Sequence, residues 1–267
     1  MSADFQNSIK NAVSAGQISQ NVADGLLERV DAIALAGCKG VQIADLDSEE
    51  NTLVSVLLDA SGSMLSVAGT VIDGYNNHFL RPLKSAKNSR SILSSLWVFS
   101  DDYSSTEKTR LIHGFTPIPD CPLLSKKEYS PDGQTPLYEA IDKAITGLVS
   151  YSQTLIDAGS RVKRIFVLFS DGAENASNRK YTANKIKDAS TDLLNAENTI
   201  LSYVFFGNQN EANDIAEKIG FPSHHRLTDQ MDDSAIRRVF GQVSASVISA
   251  SKSAISANIS ANAFFNS

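Results

Sequence analysis

Basic residues are the first thing in short supply. The chain of 267 residues carries 24 Lys and Arg against 30 Asp and Glu, a formal net charge of −6. Nucleic acids and anionic membrane surfaces are held by a basic excess, and this chain has none. Neither is an expected partner. Cysteine is nearly absent: Cys38 and Cys121 are the whole complement, with no CxxC spacing. Two such residues make no disulfide framework, so a reduced, cytoplasmic setting is the simplest expectation. No stretch approaches the roughly 18 apolar residues of a membrane span. The opening Met1-Ser2-Ala3-Asp4-Phe5 has neither the basic start nor the apolar core of a secretory leader. The absence of a Gly-x-x-x-x-Gly-Lys-Ser/Thr loop excludes a phosphate-loop nucleotide hydrolase. Four histidines sit in no motif that pairs a base with a nucleophile, so no enzyme is expected.

What is present is a soluble, core-forming composition, 42% hydrophobic and 20% charged. Residues 4 to 37 carry Phe5, Ile9, Val13, Ile18, Val22, Leu26 and Val30 at roughly helical spacing. Ala15-Gly16-Gln17 breaks the pattern into two helices, and Gly37 and Gly40 read as stops. An acidic linker, Asp45 to Glu50, follows. From residue 52 strands and helices alternate. Strands are expected at 53–58, 92–99, 109–115, 162–169, 200–206 and 225–227. Helices are expected at 67–86, 137–151, 181–196, 210–219 and from 232 onward. The alternation predicts an α/β fold, a doubly wound and mostly parallel sheet with helices on both faces. The uninterrupted apolar run Ile165-Phe166-Val167-Leu168-Phe169 fits a strand buried on both sides. Three regions are expected: a helical N-terminal extension at 1–51, a main domain at 52–245, and a Ser/Ala-rich helical tail at 246–267. The extension is too small to fold well alone and should pack on the main domain or on a partner.

The chain is organised around Leu53 to Met64, an apolar run that ends in Asp59-Ala60-Ser61-Gly62-Ser63. A buried strand spilling onto a tight turn can put one carboxylate and two hydroxyls on one side. Donor sets made only of oxygen suit hard cations such as Mg2+, Ca2+ or Mn2+. Two later segments can complete the set. Gly133-Gln134-Thr135-Pro136 places the Thr135 hydroxyl at the cap of a helix, and Ser170-Asp171-Gly172 places Asp171 at a strand tip. In open sheets ligands bind beyond the carboxyl ends of the strands, where strand order reverses. Asp59 and Asp171 both sit at such ends.

Asp-x-Ser-x-Ser after the first strand, a threonine before a central helix and an aspartate in a later Ser-Asp-Gly together resemble the metal-ion-dependent adhesion site of von Willebrand factor A domains. The resemblance spans roughly residues 52 to 245. It implies a doubly wound sheet with a divalent cation at its top, Mg2+ foremost and Ca2+ or Mn2+ as alternatives. Ser61, Ser63 and in some states Thr135 would ligate directly, with Asp59 and Asp171 acting mainly through water. It also implies a protein partner that presents Asp or Glu, and adaptor roles beside ATPase, chelatase or kinase–phosphatase machinery. The chain is further similar to bacterial proteins of this type associated with tellurite resistance, through Asp171-Gly172 and the single-domain layout.

Two rival readings remain at this stage. One is a structural subunit assembled through the N-terminal helices and the tail, the metal site only stabilising. The other is a Mg2+-dependent phosphohydrolase of the haloacid-dehalogenase type. That chemistry needs a second acid two residues after the first, where this chain has Ser61. His224-His225 resembles a metal pair, but on a strand adjacent residues face opposite ways. Specificity is expected in the rim loops Asp101 to Lys108, Pro117 to Gln134 and Glu174 to Lys180, with Glu174 and Asn175 beside Asp171.

Overall fold

The computed structural model describes residues 3–102, 107–196, 198–253 and 264–266. The chain opens with α1 (Ala3–Ser14), which buries Phe5, Ile9 and Ala12 along one face. In α2 (Gln20–Arg29) the Ser19 side chain accepts from the Val22 N–H and caps the first turn. A third helix, α3 (Ala32–Gly37), follows, with Asp31 capping the Ala34 N–H. The periodicity predicts two helices here, and the structure has three. Six residues are too few for a 3.6 repeat to register, so the signal for α3 was its cap alone.

The sheet comprises β1 (Glu50–Asp59), β2 (Ile92–Phe99), β3 (Thr109–Pro117), β4 (Arg161–Ser170), β5 (Thr199–Phe206) and β6 (Arg226–Asp229). Its order is β3-β2-β1-β4-β5-β6, and every pair is parallel except β2 with β3. The chain winds outward from β1 in both directions, so order reverses between β1 and β4. This is the doubly wound α/β arrangement expected from the sequence.

Between β1 and β2 lie α4 (Ala68–Asp73) and α5 (Arg81–Lys84), joined by a π-helical stretch at Gly74–Leu80. One helix over 67–86 was expected; the wider winding in its middle keeps Tyr75, Phe79 and Leu80 buried together. The remaining helices are α6 (Leu137–Asp157), α7 (Ala183–Asn195), α8 (Gln209–Ile219) and α9 (Asp233–Lys252).

Alternation along β1 divides the core. Leu53 and Leu57 face a layer that includes α1, α2, α6, α7 and α8. Val54, Val56 and Leu58 face the π-helical stretch and α9. Each fully buried aliphatic side chain stabilises by about 1.5–3 kcal/mol relative to exposure, so both layers are firmly seated. The N-terminal helices share the first core instead of standing apart from it. Helix α3 crosses α6 closely: a Cβ on Gly37 would lie 2.1 Å from Trp97 Cη2, and one on Gly147 2.7 Å from the Gly37 carbonyl oxygen. Only glycine permits that approach.

Past α3 the chain touches the outer edge of β3. The Val41 N–H donates to the Phe115 carbonyl (2.8 Å) and the Phe115 N–H to the Lys39 carbonyl (3.2 Å), forming a parallel bridge at Gly40. His224 and His225 lie on a short 3-10 turn before β6, not on the strand, and their rings touch at 4.2 Å. The strand argument for opposite faces therefore does not apply to them. The Ser/Ala tail is helical as far as α9 runs. Positions 254–263 and 267 of the expected tail, and 103–106 of the expected rim loop, lie outside the described residues. No described helix is long and apolar enough to cross a membrane.

Candidate metal centre

β1 is buried almost throughout and ends at Asp59, itself 1% exposed. The turn beyond it is pinned at several points. The Ala60 N–H donates to the Phe99 carbonyl (2.9 Å), and buried Met64 anchors the 3-10 turn Gly62–Val67. The Asp59 carboxylate then folds back on its own loop, accepting the Ser61 N–H on Oδ1 (2.8 Å) and the Ser170 hydroxyl on Oδ2 (2.6 Å). Ser170 ends β4 and is followed by Asp171, whose Oδ1 accepts the Ser63 hydroxyl at 2.9 Å. Ser61 and Ser63 Oγ stand 3.1 Å apart. Four of the five sequence-predicted residues, Asp59, Ser61, Ser63 and Asp171, thus form one hydrogen-bonded group across the β1–β4 junction.

Thr135 reaches the same place by a different route. The Asp132 N–H donates to the Ala60 carbonyl (2.9 Å) and the Gly62 N–H to the Gly133 carbonyl (3.0 Å), which lays the loop on the β1 turn. Gly133 has φ +72°, and a Cβ there would lie 2.0 Å from the Asp101 carbonyl oxygen. The loop can dock this closely only with glycine. Thr135 is a buried residue, and its hydroxyl lies 3.4 Å from where a Cβ on Gly172 would sit. It has no hydrogen-bond partner among the described residues.

One expectation about Thr135 is corrected. It is not the helix cap. Pro136 occupies that position and makes no side-chain cap, so α6 begins at Leu137. The exposed amides of the first turn are instead served by the loop after Asp171. Glu174 Oε2 accepts the Tyr138 N–H (2.8 Å) and Ser177 Oγ the Glu139 N–H (3.0 Å). A threonine cap spends its hydroxyl on a backbone amide, and Thr135 here does not.

The electrostatics have one sign. Burial pushes Asp59 up to about 6, with the nearby Asp171 charge adding to the rise and the Ser170 and Ser61 hydrogen bonds opposing it. Burial also raises Asp171, against its bond from Ser63. No described Lys, Arg or His forms an ion pair with either carboxylate. Among the described residues no three His, Cys, Asp or Glu side chains cluster, so the soft or borderline donor sets of zinc and copper sites are not formed. A hard cation fits what is there: all donors are oxygen, two carboxylates have no cationic partner among the described residues, and the Thr135 hydroxyl is unspent. Exposure rises outward from buried Asp59, Ser61 and Thr135 to half-buried Asp171 and exposed Ser63. The open side is therefore that of Ser63 and Asp171, and Leu65 stands out from the same turn.

Two residues outside the predicted five belong to this arrangement. Ser170 bonds Asp59 directly, and its place beside Asp171 at the strand tip was the available signal. Tyr129, buried, donates from its hydroxyl to the Asp59 carbonyl (2.6 Å), and no local pattern announces it. The rim loops are tied together: Lys108 Nζ bonds Asp101 Oδ2 (3.0 Å) and the Ala176 carbonyl (2.5 Å).

No family model and no curated protein matches the sequence. Solved structures do match. The open conformation of the pilus adhesin SpaC from Lactobacillus rhamnosus GG aligns at 14% identity and a TM-score of 0.55, over 74% of this chain and 30% of that one. A structure described as von Willebrand factor type A from Catenulispora acidiphila aligns at 11% identity and a TM-score of 0.47, over 74% and 43% of the two chains. The manganese-loaded TRAP protein of Plasmodium vivax aligns at 15% identity and a TM-score of 0.43, over 72% and 74%. The chain thus spans less than a third of the length of SpaC. One of these neighbours is described as a von Willebrand factor A structure, and the likeness to SpaC is one of fold.

Proposed function

We propose that this chain is a non-enzymatic, cytoplasmic interaction module that holds an acidic side chain of a protein partner through a divalent cation. The cation would be seated by Asp59, Ser61, Ser63, Thr135 and Asp171, as in a metal-ion-dependent adhesion site. Residues 52–245 would form the interacting unit, with 1–51 and 246–267 as its extension and tail. One observation carries the reading: two carboxylates and three hydroxyls meet at the switch point of the sheet, and no described cationic side chain pairs with the carboxylates. When bound, the cation, Mg2+ foremost and Mn2+ or Ca2+ as alternatives, supplies a position that a further oxygen ligand can take.

The chain's own residues set what that ligand is. Ser61, Ser63 and Thr135 offer neutral oxygens, so a site built on them leaves much positive charge uncompensated, and Asp or Glu from a partner answers it. Asp59 is held on both oxygens by Ser61 and Ser170. A carboxylate so restrained is suited to orienting the turn, not to attacking a substrate. The role proposed is that of an adaptor, presenting or recruiting an acidic segment within an ATPase or kinase–phosphatase assembly. Affinity capture from native cells, run in Mg2+ and in EDTA, tests this. Partner recovery should fall with chelator and with Asp59→Ala or Thr135→Ala; recovery indifferent to all three sinks the proposal.

A further inference from the structure

Pro136, the residue between Thr135 and α6, cannot cap the helix with its side chain. The four leading amides of a helix need acceptors, and a site that must keep its threonine hydroxyl free has to find them elsewhere. Glu174 and Ser177, three and six residues after Asp171, provide two of them. Glu174 is the centre of this cap. Its Oε2 accepts the Tyr138 N–H (2.8 Å) and the Ser177 hydroxyl (2.6 Å), and its Oε1 accepts the Ala176 and Ser177 N–H groups (2.8 and 2.6 Å). A carboxylate at a helix N-terminus is further stabilised by the helix dipole. Asn175 acts on Thr135 itself. Its Oδ1 accepts the Thr135 N–H (2.8 Å) and its own N–H donates to the Thr135 carbonyl (3.1 Å), so both backbone groups of that residue are held.

We infer that Glu174 and Asn175 are the positioning residues of the metal centre. Glu174 caps α6 from outside, Asn175 holds the Thr135 backbone and leaves its hydroxyl unspent, and together they tie Thr135 to the loop that carries Asp171. The inference rests on the metal-binding reading above and adds how the third loop of the site is placed. Asn175 controls Thr135 and does not touch the cation. Removing its side-chain oxygen therefore lets Thr135 drift without removing any ligand.

The test is a double-mutant cycle on the full chain with Mn2+ as the probe, read by electron paramagnetic resonance titration. The variants are Asn175→Leu, Thr135→Val and the pair. Outer positioning groups of metal sites are commonly worth about 10–100-fold in affinity. Asn175→Leu and Thr135→Val should each weaken Mn2+ binding by about tenfold. The double variant should be no more than about twofold weaker than the weaker single, because both changes disable one ligand. Asn175→Asp, which keeps the acceptor for the Thr135 N–H, should restore affinity, and Glu174→Gln should weaken binding on its own. Melting in EDTA checks that each variant folds. Multiplicative losses near 100-fold, a wild-type affinity in Asn175→Leu, or no rescue by Asn175→Asp overturns the inference. A wild-type chain that binds no Mn2+ fails the metal-centre reading instead, and the two failures are distinguishable.

Discussion

Carboxylates gather at two places beside the start of α6, and they are treated in opposite ways. At the sheet top, Asp59 and Asp171 meet hydroxyls and one amide. Further along the helix, Asp142 receives Arg29 Nε at 2.9 Å and Nη2 at 2.6 Å, both side chains almost fully buried. Lys143 is shared by Glu139 (2.8 Å) and Asp31 (2.9 Å). Each of these three acids, Asp142, Glu139 and Asp31, has a fixed protein cation, and neither Asp59 nor Asp171 forms an ion pair with a described residue. Burying an unpaired charge is expensive, and this contrast between three paired acids and two unpaired ones is what the proposed cation would relieve. Arg29 also ties this flank to the site loop, because its carbonyl accepts from Lys180 Nζ (3.3 Å) and the Tyr181 hydroxyl (3.4 Å).

The contrast can be broken from either side. The largest effect belongs to the flank. Arg29→Met leaves the Asp142 charge buried alone and should destabilise the chain by about 3–5 kcal/mol in urea unfolding, with or without metal. A change under 1 kcal/mol would mean the pair is not the clasp it resembles. At the top, Mg2+ at a hundred times its dissociation constant should stabilise the wild type by about 2.7 kcal/mol, and Asp59→Asn should abolish that gain. In EDTA the same Asp59→Asn should raise the melting temperature by about 2–4 °C per kcal/mol recovered, since it removes an uncompensated buried charge. A melting temperature that falls in both EDTA and Mg2+ would place Asp59 with the structural acids.

The smallest effect is at Asp31. Burial pushes its carboxyl up, but the Ala34 N–H and Lys143 outweigh this and hold it below its ordinary value of 3.8. A depressed carboxylate contributes stability above its unfolded value, which is lost as pH falls through the folded one. The α3 amides should therefore begin to exchange faster as pH drops below about 4. Asp31→Ala, which removes the cap, should cost about 1 kcal/mol at neutral pH. An exchange rate in α3 that does not respond to acid would remove Asp31 from the paired set.

Much of this was legible in the chain. Leu53 to Asp59 and Ile165 to Asp171 are strongly apolar stretches that end at an acid, so strand, burial and position at the sheet top are read from one local pattern. The five candidate residues, Asp59, Ser61, Ser63, Thr135 and Asp171, sit in short motifs. What was hidden depends on residues distant in sequence. The Arg29–Asp142 pair spans 113 positions, and each partner alone reads as an ordinary surface charge. The outside cap of α6 is equally silent, because Thr135-Pro136 imitates a local cap that the folded chain does not make. Asn175 and Ser177 are common loop residues whose targets appear only once β4 lies beside β1. The π-helical winding of Gly74–Leu80 follows from aromatic packing and has no counterpart in periodicity.

The bridge at Gly40 has a consequence for how this protein behaves in bulk. Strand β3 is the last rung of the sheet, and its outer backbone groups would otherwise be open to any extended chain that drifts by. Residues 39–41 occupy that rung near its C-terminal end, at Phe115, with the protein's own backbone. The sheet therefore has a built-in terminator, and growth by edge-to-edge addition is blocked where a newcomer would first bind. A Val41→Pro chain, which keeps the core helices but loses the N–H that donates to the Phe115 carbonyl, would loosen this terminator. Its solutions should scatter more light as concentration rises, while the unsubstituted chain stays dispersed.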